Sequence, residues 1–216
     1  EDQTILDAAL RAGIYLPHAC CHGVCATCKV TVEDGEVEHN ESSSFALMEF
    51  ERDEGKCLAC CATVEDDITI SAEIEEDPDA RTIPIRDFEA TVSKIESLTP
   101  TIKGVWLKLE DGEAFDFQAG QYVNLHLPDD IGSRAFSVAS VPTSGNEIEL
   151  NIRVVPGGAA TTYVHENLTV GDEIKFTGPY GRFFVKKSAD MPVIFFAGGS
   201  GLSTVYDPGS HRRGLR

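Results

Sequence analysis

The sequence predicts three consecutive pieces: a small α+β unit, a closed antiparallel barrel of six strands, and the opening of a parallel α/β unit. Three observations carry this prediction. All seven cysteines fall between Cys20 and Cys61, inside a stretch that mixes one helical pattern with short strand patterns. Six β-like segments with polar turns follow, interrupted by a single helical segment. A fully apolar run, "MPVIFFAGGSGL", then enters a glycine turn. The boundaries fall at 1–75 for the first unit, 76–86 for an acidic linker with two prolines, 87–188 for the barrel and 189–216 for the remnant.

The elements follow in order. "TILDAALRAG" puts Ile5, Leu6, Ala9 and Leu10 on one helical face, with Gly13 as its stop. "CKVTVEDGEVEH" reads as a strand, a D-G turn and a second strand. "SSFALMEFERDEG" reads as a short helix starting near Ser43 or Ser44 and ending before Gly55. "CLACCATV" and "DITISAEI" read as strands. The barrel strands are "FEATVSKIESLT", "IKGVWLKLE", "QYVNLHL", "RAFSVAS", "EIELNIRVV" and "DEIKFTG", with the helix "TTYVHENL" between the fifth and sixth.

Charge and composition exclude several classes of function. The chain has 216 residues and a net charge of −18, but the charge is unevenly spread. Residues 1–80 hold 20 acidic and 4 basic side chains, a net of −16; residues 81–216 hold 16 and 14, a net of −2. Nucleic acid is excluded as a partner of the first unit, because affinity there comes from Lys and Arg on phosphates. The longest apolar run is about half the ~20 residues a membrane helix needs. No basic-then-apolar leader opens the chain, and the first helix is already mid-pattern, so upstream sequence, not a signal, is expected. The acidic surface is soluble, and its single sign suits steering toward a basic protein partner.

An odd number of cysteines, two adjacent pairs among them, argues against a disulfide framework and for thiols kept reduced in the cytoplasm, available to metal. "HACCHGVCATCKV" holds Cys20, Cys25 and Cys28 as C-x4-C-x2-C, the spacing of a plant-type [2Fe–2S] loop that needs a distant fourth thiolate. Each iron takes two thiolates, and the small residues between the ligands let backbone N–H groups point at sulfur. Zinc is the competing reading, since Cys25-x2-Cys28 and Cys57-x2-Cys60 form a CxxC…CxxC pair, but it leaves Cys20 unused. A Rieske centre would use Cys20-Cys21-His22 and lacks its second C-x2-H. Strand alternation puts Cys57 and Cys60 on unlike faces, and Cys60 is favoured as the fourth ligand. Cys21, Cys57 and Cys61 are then spectators.

"LPHACCHGVCATCKV" and "SSFALMEFERDEGKCLACCATVEDD" resemble the reductase component of multicomponent bacterial phenol hydroxylases. That family belongs to a wider group of oxygenase reductases. The resemblance runs from residue 1 to about 203. It implies a ferredoxin-like (β-grasp) [2Fe–2S] domain, an FAD barrel and an NADH domain. It also implies that Cys20, Cys25, Cys28 and Cys60 hold the cluster. The family begins with a hairpin that this chain lacks.

"SRAFSVAS" at 133–140 fits the R-x-[YF]-S motif of ferredoxin-reductase-like flavin domains. Arg134 can fork onto a diphosphate. Phe136 offers an aromatic face, and Ser137 a hydrogen bond to the flavin N5 region. In "PGGAATTYVHENL", Gly157 and Gly158 allow close backbone approach, and Gly158-x-x-Thr161 opens a helix whose N-terminus suits a diphosphate. An N-terminal cluster joined to this barrel favours FAD over FMN. Tyr122 and His126 read as wall residues.

"AGGSGL" at 197–202 resembles the pyrophosphate turn of the family's NADH domain. Pro208 and Gly209 then stand where a helix should propagate. Codons for "VYDPGSHRRGL" permit S-M-I-L-D-L-I-D-E-V in a shifted frame, close to the family's helix. Residues 204–216 are therefore expected to be an aberrant, disordered tail, and the chain is expected not to oxidise NADH efficiently. In the intact protein the resemblance implies electron flow from NADH through FAD and the cluster to a di-iron hydroxylase docked on the acidic ferredoxin domain. The alternatives are a reductase serving a ring-hydroxylating dioxygenase, or a non-enzymatic zinc-binding interaction module.

Overall fold

Helix α1 (Ile5–Arg11) opens the first unit. The hydroxyl of Thr4 caps it by accepting from the Asp7 N–H at 3.2 Å. Ile5, Leu6 and Leu10 form its buried face, and Asp7 pairs with Arg11 at 2.9 Å one turn on. It stops where Gly13 takes φ +73° and the Ile14 N–H returns to the Ala9 carbonyl at 2.8 Å. The structure is a computed structural model and describes residues 3–110, 113–128, 130–142 and 145–204, without the side chains of 202–204. The expected tail lies outside these residues, Thr204 apart. The chain divides into two units, Glu1–Pro78 with Thr82–Pro84, and Asp79–Arg81 with Ile85–Arg216.

The sheet of the first unit is small. Strands β1 (Lys29–Asp34), β2 (Lys56–Leu58) and β3 (Thr69–Ser71) pair antiparallel in the order β2-β1-β3. The predicted second strand of the "CKVTVEDGEVEH" hairpin does not form. Gly35 makes the turn at φ +95°, but Glu38 exchanges both backbone bonds with Thr63, at 2.9 and 3.0 Å. The edge of β1 is taken instead by β3, with Val32 opposite Ile70. The helix predicted from Ser43 or Ser44 is also shorter. The Ser43 carbonyl accepts from both Ala46 and Leu47 in a tight turn, and α2 spans only Glu49–Asp53. The Glu51 carboxylate accepts from the Met48 N–H at 3.0 Å and sets that start.

The second unit is the six-stranded barrel. Strands β4 (Arg86–Thr99), β5 (Ile102–Leu109), β6 (Tyr122–His126), β7 (Ser133–Ser137), β8 (Glu147–Arg153) and β9 (Glu173–Tyr180) follow the order β7-β6-β9-β4-β5-β8, all antiparallel. A bridge between Val138 and Leu150 closes it, reinforced by the Ala139 N–H on the Glu149 carbonyl at 2.7 Å. Period-two alternation fills the inside: Val105, Leu107 and Leu109 from β5 face Ile148, Leu150 and Ile152 from β8. Phe88 stacks on Phe176 at 5.1 Å, and Phe115 meets both edge-on. Helix α3 (Ala159–Glu166) plugs one end with Ala160 and Val164.

The apolar strand predicted at 191–198 is unpaired among the described residues, and Met191, Val193, Ile194, Phe195 and Phe196 are exposed. A parallel strand exists only through neighbours that donate and accept along both edges, and no described strand lies beside it.

Candidate functional site

The cysteine loop is built from left-handed turns. Cys21, Gly23 and Ala26 have φ of +54°, +70° and +59°. Such turns swing backbone N–H groups toward the loop interior. One of them is in place, the His22 N–H on the Cys20 sulfur at 3.4 Å. Gly23 is required here on two grounds. Its φ suits glycine, and a Cβ would stand 2.7 Å from the Cys61 sulfur and 2.9 Å from the Glu41 carbonyl.

The four predicted ligand thiols lie on segments that the backbone brings side by side. Cys25 lies within hydrogen-bonding reach of Cys20, and Cys28 of Cys60. Slight burial pushes the Cys25 thiol up, but hydrogen bonds from Thr27 and Cys20 outweigh it and lower its pKa to about 6. The Cys28 thiol is held far above its ordinary range by its hydrogen bond with Cys60, and then by burial. Among the described residues no three His, Cys, Asp or Glu side chains converge on one metal-sized point.

The fold positions Cys60 from two sides. The first two amides of α1 donate to the segment that carries it, Ile5 to the Ala62 carbonyl at 3.0 Å and Leu6 to the Ala59 carbonyl at 2.8 Å. The Ala59 N–H in turn donates to the Cys28 carbonyl at 2.9 Å, joining the two ligand segments. Cys57 faces the core of the unit, fully inaccessible, and burial pushes its thiol up to about 11. Cys61 lies 3.7 Å from the Cys60 sulfur, and burial raises its pKa as well.

In the barrel, Arg134, Phe136 and Ser137 sit on β7, beyond the Val138–Leu150 bridge. That edge lacks a strand partner there, which leaves Arg134 exposed and Phe136 half-buried. The Arg134 guanidinium donates to the Ser133 carbonyl at 2.6 Å. The second unit has two concavities. One, of about 470 Å³, is lined by Pro128, Asp130, Ile131, Gly157, Thr162 and Tyr163. The other, of about 700 Å³, is lined by Val138, Ser140, Val141, Phe183, Val185 and Ile194 among others. Arg134, Phe136 and Ser137 line neither.

Gly157 takes φ +75°, and open space surrounds the position of its missing Cβ. Gly158 is the N-cap of α3, and no side chain caps that end, so its first amides are available to an anion. The Thr161 hydroxyl is already committed to the turn. It donates to the Gly158 carbonyl at 3.2 Å and accepts from the Val155 N–H at 3.0 Å. Sequence reasoning missed Gln121. This buried amide accepts from the Gln118 N–H at 2.7 Å and donates to the Gly181 carbonyl at 3.1 Å, pinning the chain at "GPYG" (178–181), where β9 ends. No spacing signal marks it. Tyr122, opposite Ser137 in register, stacks on Tyr180 at 5.4 Å.

Comparison with known proteins agrees with both halves. The 2Fe-2S iron-sulfur cluster binding domain family matches residues 1–65, and the oxidoreductase FAD-binding domain family matches residues 89–185. The chain thus carries, in order, a 2Fe-2S cluster binding domain and an oxidoreductase-type FAD-binding domain built on the six-stranded barrel. It is similar to reductase components of phenol-oxidising monooxygenases. It is 55% identical over 204 residues to the phenol hydroxylase P5 protein of Acinetobacter pittii, covering 94% of this chain and 57% of that protein. It is 53% identical, with the same coverage, to the phenol 2-monooxygenase reductase component DmpP of a Pseudomonas species. The crystal structure of the Amycolatopsis cytochrome P450 reductase GcoB superposes with a TM-score of 0.84 at 35% identity, over 95% of this chain and 62% of that one. The chain thus spans little more than half the length of the curated relatives it matches. Among the described residues no helix is long and apolar enough to cross a membrane.

Proposed function

We propose that the intact protein is the NADH-dependent reductase component that feeds electrons to the di-iron hydroxylase of a phenol- or toluene-type monooxygenase. The observation that carries this is the meeting of the two cysteine segments, where the Ala59 N–H donates to the Cys28 carbonyl at 2.9 Å, in the same chain as the flavin-strand motif. A two-iron centre needs two thiolates per iron, and a single tetrahedral zinc needs four around one point. Cys20 with Cys25, and Cys28 with Cys60, would hold the two irons. When bound, FAD would supply the exchange between one hydride, a two-electron donor, and single electrons, which the cluster would carry one at a time.

The chain's own residues bind and tune. Arg134 and the uncapped first turn of α3 would hold the diphosphate, with Gly157 and Gly158 giving room for close approach. Phe136 would pack on the flavin, and Ser137 would hydrogen-bond near its N5. The His22 N–H, already on the Cys20 sulfur, would stabilise negative charge there and so raise the potential of a bound cluster. Seven free cysteines suit a reducing compartment, the cytoplasm.

The test is the iron, sulfide, zinc and flavin content of anaerobically purified protein, with a low-temperature EPR spectrum after dithionite. About two irons and two sulfides per chain with one flavin, and a rhombic signal on reduction, are expected. Zinc without flavin would overturn the proposal. Chemical reduction is used because NADH oxidation is proposed for the intact protein.

A further inference from the structure

We infer that Gln118 and Gln121 are positioning residues for the flavin-binding strand. They carry the hold of the linker at Asp79–Arg81 through to Val138, so that bound FAD fastens the linker and a fastened linker favours bound FAD. This rests on the reading of β7 as the strand that carries the flavin.

The linker is fastened although it forms no helix or strand between residues 72 and 85. Its residues Asp79–Arg81 group with the barrel. The Gln118 side-chain amide grips them at both ends. Its Nε2 donates to the Asp79 carbonyl at 2.8 Å, and its Oε1 accepts from the Arg81 N–H at 3.1 Å. A peptide group of a neighbouring strand would bond the two sides of Ala80 in the same way. The Asp79 carboxylate accepts from the Ser188 N–H and hydroxyl, at 2.9 and 2.7 Å. The Arg81–Asp116 ion pair at 2.6 Å is half exposed and adds little, so the fastening falls to Gln118 and Asp79.

Gln118 opens a tight turn that leads to β7. The Gln121 N–H donates back to the Gln118 carbonyl at 3.0 Å, with Gly120 at φ +99° between them. A Cβ on Gly120 would stand 1.6 Å from the Phe183 carbonyl, so the turn is seated closely on that segment. Phe117, buried to 1%, fixes its start. Within the turn the Gln118 N–H donates to the Gln121 side chain at 2.7 Å. The Gln121 backbone carbonyl accepts from the Val138 N–H at 3.0 Å. Val138 follows Ser137, the residue proposed beside the flavin N5, and Tyr122, which follows Gln121, lies opposite Ser137 in register. Hydrogen bonds thus run from the linker to Gln118, from Gln118 to Gln121, and from Gln121 to the end of the flavin strand.

The element with two states is the linker, on or off the Gln118 amide. A buried amide such as that of Gln121, 6% exposed, keeps its partners only while the turn keeps its shape. A linker held on Gln118 steadies that shape, and with it Val138 and Ser137. Coupling of this kind is reciprocal: FAD seated on β7 steadies the linker by the same factor.

The experiment uses the full chain freed of flavin, with FAD added back as the probe. Trypsin must draw the chain around Arg81 into an extended form, which the bonds at the Arg81 N–H and the Asp79 carbonyl oppose, so cutting after Arg81 reports the unfastened linker. The cut is followed by the mass of the fragment that ends at Arg81, and the cut after Lys56, in the first unit, is the control. In the parent, saturating FAD is expected to slow cutting after Arg81 about tenfold and to leave the cut after Lys56 unchanged. Gln118→Met keeps the length of the side chain without its amide. It is expected to be cut faster after Arg81, to lose the protection by FAD, and to bind FAD about tenfold more weakly in a fluorescence titration. Gln121→Met is expected to do the same; if that buried variant does not fold, Gln118→Met at its half-buried site carries the test. A purely structural role would leave the FAD protection in place, so equal protection of the parent and Gln118→Met would overturn the proposal. A parent that binds FAD but is cut after Arg81 at the same rate with and without it would overturn it too. A folded barrel that binds no FAD would overturn the flavin reading of β7, and the positioning role with it.

Discussion

The two units solve the problem of holding a redox group in opposite ways. The first has three short strands, a helix of seven residues and one of five, and a loop of left-handed turns. Its proposed ligands would be covalent, so four side chains at set spacings would do most of the holding. The barrel has six paired strands around a continuous apolar core, and its proposed ligand is held by charge, stacking and backbone amides. A covalently ligated group needs little scaffold but tolerates no change of ligand. A group held by many weak contacts needs a rigid scaffold and survives the loss of any one contact.

The largest expected effect breaks the covalent side of this contrast. Cys60→Ser should abolish iron binding and visible cluster absorbance, while Cys57→Ser and Cys61→Ser keep both; a colourless Cys57→Ser protein would move the fourth ligand. The next breaks the scaffold side. Phe176→Ala removes a fully buried ring at the centre of the aromatic cluster and should cost about 3–5 kcal/mol of barrel stability. Trp106, the chain's one tryptophan, lies on β5 and reports that transition by fluorescence in urea. Iron content should be unchanged.

Two smaller effects sharpen the comparison. Arg134→Ala should weaken FAD binding by about 1.5–3 kcal/mol, read by flavin fluorescence titration, with no change in the urea midpoint of the barrel. The side chain is exposed and makes no core contact, so unchanged FAD affinity would remove Arg134 from the site. Thr4→Ala should cost about 1 kcal/mol, the loss of one N-cap. Because α1 donates its first amides on either side of Cys60, the loss should appear as a lower urea midpoint for cluster absorbance. A midpoint equal to the parent's would mean that the N-terminus of α1 does not support the ligand segment.

Legibility differed between the units in the same sense. The barrel strands and their one interrupting helix were readable because apolar alternation over five to fourteen residues is a long signal. In the first unit the strands are three to six residues long, too short for periodicity to decide. There Glu38 bonds to Thr63 where a hairpin with β1 was predicted, a choice made by a residue 25 positions away. The cysteines showed the reverse. Their spacing pointed to an iron–sulfur loop while leaving zinc open, and the barrel motif at Arg134, Phe136, Ser137, Gly157, Gly158 and Thr161 drew its weight from residue chemistry together with its resemblance to a family. Thr161 was read as a helix opener, and its hydroxyl proves to be bound to its own turn.

The sequence by itself determined the cluster spacing, the strand inventory of the barrel, the helix that interrupts it and the acidic character of the first unit. These are local properties, set by covalent distance, side-chain period and composition. Only the tertiary structure decided that the Cys28 and Cys60 segments adjoin, with the Ala59 N–H on the Cys28 carbonyl. The fold alone closed the barrel at Val138 and Leu150, pinned the chain at "GPYG" through Gln121, and fastened Asp79 and Arg81 to Gln118. Each of these depends on which distant segment supplies a hydrogen-bond partner or covers a side chain, and that is settled only when the whole chain packs.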